Sequence, residues 1–454
     1  MTITGQVLPT LSYQQGRLLM DADARRRDIP SMRTITETVR VRGPFDETAF
    51  QHALAHVVSR HEALRTSFPN GVDEQIVWPE ADAPVALHDL RGGTDPEADA
   101  QARVRQEAYT PFDPGQTPRI RATVLRLASD VRVVVVVLDH LTVDAWSRGI
   151  VLRELSSAYS ELTAGLTPAA SPPLLQYHRY VAESQSMLAS AEFQHLLAFW
   201  RRTLHGIGAV PRLRSRRPAE PGAPACGHAG LRLTADMLGG ARRLAAECRS
   251  TLFMFVLCAL QLALARQTGD ADQAVAVNVY NRDTVGTEAL VAPMAELAVV
   301  RTDLTGVTTF RQALRLVRST SLDAQDHAVP YGELVKALSP AEYARVDVPV
   351  GVVFNMQYAE LLDDTLRFAG ADCQTYPIFE EGFRPRSELL VVGRPDDEGL
   401  TIAVRHQADR LPAEWVTDLL AQLRNVVEAA VADPDAVLQP SPASRQATAA
   451  SGAA

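Results

Sequence analysis

Lysine is almost absent: Lys336 stands alone among 45 basic residues. No GxxxxGK loop can therefore cradle a phosphate, and Schiff-base chemistry would rest on one side chain in an ordinary helical stretch. Cysteine is scarce too, at four residues. Cys226, Cys248, Cys258 and Cys373 are scattered without a CxxC pair, so neither a metal site nor a disulfide framework is expected. Cys226 and His228 stand close together, but without a second pair they read as loop residues. No apolar run approaches bilayer length, and the opening MTITGQVLPTLSYQQG has no basic region followed by an apolar one. A cytoplasmic protein with no membrane partner is the expectation. A net charge of -9 and the lack of a basic stripe argue against a nucleic-acid partner.

What is present is an ordinary globular composition, 46% hydrophobic and 22% charged, over 454 residues. That length suits two or three packed units. LTAGLTPAASPPLLQ (162–176) and RLRSRRPAEPGAPACGHAG (212–230) read as connectors, and PSPASRQATAASGAA (440–454) as a disordered tail. Between them strand and helix patterns alternate. Strands are predicted at Thr34–Val41, Arg119–Leu125 and Val131–Leu138, and helices at Asp46–Glu62 and Trp146–Leu162. A second set follows: helices at Ala235–Arg249, Thr251–Gln267, Thr309–Ala324 and Ala413–Ala432, with strands at Ala274–Tyr280, Ala298–Asp303, Val348–Met356, Glu388–Val392 and Leu400–His406. The pattern predicts an α/β protein of two similar lobes, and a ligand site between them is the default.

Val133 to Leu138 is apolar at every position, as in a central strand covered on both faces, and it breaks off into DHLTVDAWS (139–147). Two readings of that polar stretch stand side by side. Asp144 precedes an amphipathic helix and can cap it, with Ser147 at the third helical position, while His140 is a structural histidine. Alternatively His140 protrudes into a cleft as an acid, base or oxyanion stabiliser, with its proton affinity raised by Asp139 and Asp144.

The stretch resembles the HHxxxDG signature of the condensation domains of nonribosomal peptide synthetases, within the chloramphenicol acetyltransferase-like superfamily. Other motifs occur in the same order: LSYQQGRLL (11–19), RHEALRTSF (60–68), QYHRYVAESQ (176–185), FWRRTL (199–204), TLFMFVLCALQLALARQTGDAD (251–272), VAPMAELAVVR (291–301), DHAVPYGELV (326–335) and VPVGVVFNMQY (348–358). The resemblance covers about residues 11–432. It implies two acetyltransferase-like lobes in a V, residues 1–175 and 176–435, followed by a tail at 436–454. A tunnel between the lobes would admit a phosphopantetheine-tethered or coenzyme A thioester from one side and an acceptor from the other.

Carried over by position, His140 is the catalytic histidine and Asp144 the aspartate that braces the loop, against Arg301. Arg65 supports that side of the site, while Trp146, Ser147, Asn355 and Gln357 are candidates for the tunnel wall. The sequence departs from the pattern at Asp139, in place of the first histidine, and at Ala145, in place of glycine. It departs again at Arg179, at Glu296 and Leu297, and in DHA at 326–328. Asp139, Asp144 and Ser147 also satisfy DxxxxDxxS, the pattern of heterocyclisation domains.

The resemblance implies a free-standing monomeric acyltransferase making an amide or ester, with no bound cofactor, an acyl or peptidyl carrier protein as partner and a small-molecule acceptor. The alternatives are a non-catalytic module that recruits a carrier protein, and a heterocyclisation enzyme.

Overall fold

The computed structural model describes residues 5–8, 34–69, 74–169, 173–207, 213, 226–282, 284–338, 351–358, 365–377, 385 and 387–438. The LSYQQGRLL motif, most of the second connector and the tail from residue 439 lie outside them. Contacts divide the chain into two compact units. One comprises Met1–Ser190, Tyr280–Ala295 and Glu360–Glu381, the other Ala191–Val279, Glu296–Ala359 and Gly382–Ala454. The division expected at residues 175 and 176 thus falls after Ser190, and two later segments belong to the first unit. Local periodicity carries no record of such returns.

Strands and helices are numbered along the chain. The first unit holds β1 (Gln6–Leu8), β2 (Thr34–Arg42), β3 (Thr66–Ser67), β4 (Gln75–Val77), β5 (Val85–Asp89), β6 (Ile120–Arg126), β7 (Val131–Asp139) and β12 (Asp372–Thr375). Its helices are α1 (Glu47–Arg60), α2 (Pro96–Tyr109), α3 (Ala145–Thr163) and α4 (Tyr177–Leu188). The main sheet runs β12-β2-β7-β6-β5, with β5 parallel to β6 and the other pairs antiparallel. A small sheet, β1-β4-β3, accompanies it.

β7 is central, and its apolar run is explained by the layers on either side. Val134, Val136 and Leu138 face a core with Phe50, Leu54 and Val57 of α1 and Ile150, Val151 and Leu155 of α3. Val133, Val135 and Val137 face Ala100 and Val104 of α2 and the Tyr376 ring. Side chains alternate across a strand, so a strand covered twice has no polar face.

The second unit holds β8 (Gly227–Thr234), β9 (Asp272–Val279), β10 (Glu296–Asp303), β11 (Val352–Met356), β13 (Leu389–Asp396) and β14 (Gly399–His406). They form a mixed sheet in the order β10-β9-β11-β13-β14-β8. Its helices are α5 (Ala191–Thr203), α6 (Ala235–Glu247), α7 (Leu252–Thr268), α8 (Phe310–Asp326), α9 (Tyr331–Leu338) and α10 (Ala413–Ala432). The all-round apolar α7 is capped by Thr251 at one end and closed by Gly269, with φ 74°, at the other. Its burial accounts for its composition, and among the described residues no single helix is long and apolar enough to cross a membrane.

His228, read from sequence as a loop residue, is a correction: it lies in β8, opposite Arg405 of β14. The ladder with β14 overrides the connector-like composition of that stretch. Cys226 just precedes β8, with its Sγ 3.6 Å from His228 Nε2.

Candidate active site

DHLTVDAWS leaves the central strand as a tight turn and enters α3. The Asp139 carbonyl accepts from the N–H groups of Thr142 and Val143 at 3.0 and 3.2 Å, and Asp139 Oδ1 accepts from Leu141 N at 3.0 Å. His140 Nδ1 donates to the Val143 carbonyl at 2.9 Å, which places the lone pair of the neutral ring on Nε2. Asp139, Thr142, Asp144 and Ser147 are buried, whereas His140 is half-buried. Of the titratable side chains in the turn, only the histidine reaches the surface.

Asp144 is the hub of the turn. It caps α3 by accepting from Ser147 N at 2.8 Å, and its Oδ2 accepts from Met294 N and Ala295 N, both at 3.0 Å. Arg282 Nη2 bridges both carboxylate oxygens at 3.1 and 3.2 Å. The same guanidinium reaches Ser147 Oγ at 3.0 Å and the carbonyls of Thr287 and Leu290 at 2.6 Å. Ser147 Oγ donates to the Ala292 carbonyl at 2.7 Å and accepts from Ala292 N at 3.0 Å. The cap and the brace are therefore one structure. Ala145 opens α3 without the positive φ that would demand glycine, so its methyl group brings no backbone strain.

The partner expected for Asp144 is corrected. Arg301 Nε and Nη2 instead grip Asp272 at 2.9 and 2.5 Å, and Nη1 donates to the carbonyls of Thr203 and His205, both at 2.8 Å. The bond with Asp272 holds the Arg301 guanidinium above its usual range. With the Asp144 oxygens filled by Arg282 and three backbone N–H groups, no place is left for a second arginine.

Arg282 was missed by sequence reasoning. It follows Asn281, whose left-handed φ of 51° is held by a bond from Nδ2 to the Met294 carbonyl at 3.0 Å. The readable signal is a polar Asn-Arg pair breaking off an apolar strand, as DHLTVD breaks off β7.

Asp139 forms the second buried ion pair, with Arg119. Both aspartates thus meet a guanidinium in contact, and neither presents bare negative charge to His140. The three residues of DxxxxDxxS all have polar atoms engaged in bracing the turn.

Arg65 is buried, with Nε donating to the Val58 carbonyl at 3.2 Å and Nη1 to that of Trp78; burial pushes its guanidinium below its usual range. It braces the end of α1. Trp146 Nε1 donates to the Glu288 carbonyl at 3.0 Å, and its ring lies 5.8 Å from Tyr280 and 5.7 Å from the Arg282 guanidinium. In the second unit Asn355 is half-buried on β11, while Gln357 Oε1 accepts from Arg394 Nε at 2.6 Å.

The remaining motifs meet in pairs. Gln176 bonds the backbone of Arg60 and Glu62, and His178 Nδ1 lies 2.7 Å from Glu62. Trp200 Nε1 donates to the His327 carbonyl at 2.7 Å, and Glu296 Oε2 accepts from Tyr331 N at 3.2 Å.

Comparison with known proteins gives a consistent result. The family model described as Condensation domain matches residues 6–447. Isonitrile lipopeptide synthase of Mycobacterium tuberculosis is 30% identical over 452 residues, 94% of this chain and 17% of that protein. Chondramide synthase cmdD of Chondromyces crocatus is 29% identical over 405 residues, 87% of this chain and 10% of that one. The chain spans less than a fifth of the length of these curated relatives. Among solved structures, the X-domain from teicoplanin biosynthesis matches with a TM-score of 0.80 at 23% identity, covering 96% of this chain and 98% of that one.

Proposed function

The chain belongs to the condensation-domain family, and from that premise we propose that it is a condensation-type acyltransferase whose proton-handling residue is His140. The donor is an acyl thioester on the phosphopantetheine of a carrier protein or on coenzyme A, and the acceptor is an amine or a hydroxyl of a small molecule. The observation that carries the reading is the turn itself. Its aspartates and serine are buried in bracing bonds, while His140, alone among its titratable side chains, keeps surface, with Nδ1 tied to the Val143 carbonyl.

In this reaction the acceptor nitrogen or oxygen attacks the thioester carbonyl, a tetrahedral intermediate forms, and the C–S bond breaks to release a thiolate. The acceptor proton passes to His140 Nε2 and from there to the departing sulfur. A hydroxyl is a poorer nucleophile than a free amine and gains more from a base, so the histidine matters most for ester formation. Positioning of donor and acceptor supplies the remainder of the acceleration.

The test is to present a panel of acyl-pantetheine and acyl-carrier thioesters with amine and alcohol acceptors and to follow product mass. Wild type is expected to turn over and His140→Ala to lose about 10²–10⁴-fold. Equal turnover by both proteins overturns the role of His140. Carrier binding without turnover replaces the reading by a recruitment module, which the histidine-to-aspartate change at 139 favours; a product lighter by one water replaces it by heterocyclisation.

A further inference from the structure

His140 is placed by the residue before it. Asp139 N donates to the Arg119 carbonyl at 3.0 Å, and its own Oδ1 and carbonyl hold the N–H groups of Leu141, Thr142 and Val143. Its Oδ2 pairs with Arg119 Nη2, and the two side chains are 2% and 0% exposed. Arg119 cannot drift either. Its Nη1 donates to the carbonyls of Asp113 and Gln116 at 2.6 and 2.7 Å, and the guanidinium lies 5.7 and 5.4 Å from the rings of Phe68 and Phe112. The start of the turn that carries His140 is therefore held at Asp139, by its carboxylate through Leu141 N and by its backbone carbonyl through Thr142 N and Val143 N, and one buried arginine fixes that carboxylate.

We propose that Asp139 and Arg119 form a positioning pair for His140, fixing the direction of its ring and adding no net charge beside it. The role of the pair in turnover rests on the reading of His140 given above; its effect on the ring does not. Among the described residues, three further pairs lie on the turn and the elements beside it: Asp144 with Arg282, Arg121 of β6 with Glu107, and Arg148 of α3 with Glu37 of β2 at 3.9 Å. Removing half of the Asp139–Arg119 pair thus exposes the imidazole to one uncompensated charge. Asp139→Asn keeps the shape and the acceptor for Leu141 N but leaves a cation, which disfavours the imidazolium. Arg119→Gln leaves a carboxylate, which favours it.

The experiment is an NMR titration of the histidine ring protons in the full chain, with His140 assigned by the signal lost in His140→Ala. The His140 midpoint is expected to fall by about 1 pH unit in Asp139→Asn and to rise in Arg119→Gln. An unmoved midpoint in either variant overturns the proposal, and where one variant fails to fold the other decides. With a donor and acceptor found by the thioester screen, Asp139→Asn is also expected to lose about tenfold or more in kcat per folded molecule, with KM unchanged. If the midpoints move while His140→Ala turns over like wild type, the pairing stands and the proton-handling role of His140 falls.

Discussion

Arg119 is wholly buried, so the carboxylate opposite it is what allows a cation to exist in that core. Asp139→His, which would restore the family's residue, is therefore expected to destabilise the chain by about 3–5 kcal/mol, because it leaves a guanidinium without its counter-charge. Urea unfolding measures this; an unchanged midpoint would show that the arginine does not depend on the aspartate. Arg282→Met tests the other pair. It strands Asp144 and frees the carbonyls of Thr287 and Leu290, and a loss of similar size, about 3–5 kcal/mol, is expected. Ser147→Ala removes a hydroxyl that bonds both polar groups of Ala292 and costs about 1–3 kcal/mol. The cap at Asp144 and the place of His140 were legible in nine residues of sequence. The two arginines were not, since one lies twenty residues before Asp139 and the other well over a hundred after Asp144, and spacing along a chain does not encode partners in space.

Helices and strands with strong periodicity were legible for a plain reason: their faces are buried on one side or on both, and the residues say so. β7, α3, α7 and α10 fall within a few residues of expectation. α2 was not seen because it is mostly polar and buries little beyond Ala100, Val104 and Ala108, leaving a weak apolar stripe despite its Asp95 cap. β8 hid in a connector, since an edge strand needs only one ladder. The contact between α1 and α3 yields a pH prediction. Burial pushes the Glu154 carboxyl up, but His61 and Arg60 outweigh it and bring it down to about 2. A depressed carboxylate adds stability above its unfolded value, and that contribution is lost as the pH falls through the range from about 4.5 to 2. Glu154→Gln is thus expected to be less stable than wild type by about 1–2 kcal/mol near pH 6, the group being a quarter exposed. The difference should vanish towards pH 2. Denaturant midpoints at pH 6, 4 and 2.5 measure it; a constant gap would assign the loss to shape.

At the scale of the whole chain, the two-lobe α/β class followed from the repeated alphabet of elements, while the allotment of segments did not. The first unit is completed from outside its own stretch of sequence. Leu290, Val291, Ala292 and Met294 from one returning segment, and Leu366 and Phe368 from another, lie in the core between the main sheet and the helices α1 and α3. Tyr376 closes the opposite face, beside β12, which extends the sheet from β2. Fully burying one large apolar side chain contributes roughly 1.5–3 kcal/mol. Leu290, Met294, Leu366, Phe368 and Tyr376 together therefore approach or exceed the net stability of a typical domain, about 5–15 kcal/mol. A fragment ending at residue 190 also lacks Arg282, so Asp144 would keep its helix cap but lose its counter-charge. That fragment, expressed alone, is expected to bind a hydrophobic dye, to lack near-UV circular dichroism and to be cut rapidly by protease. Supplying the segments 280–295 and 360–381 through designed linkers is expected to restore the near-UV signal. A fragment of residues 1–190 with native-like dispersion in its NMR spectrum would mean that the returning segments decorate the first unit and do not complete it.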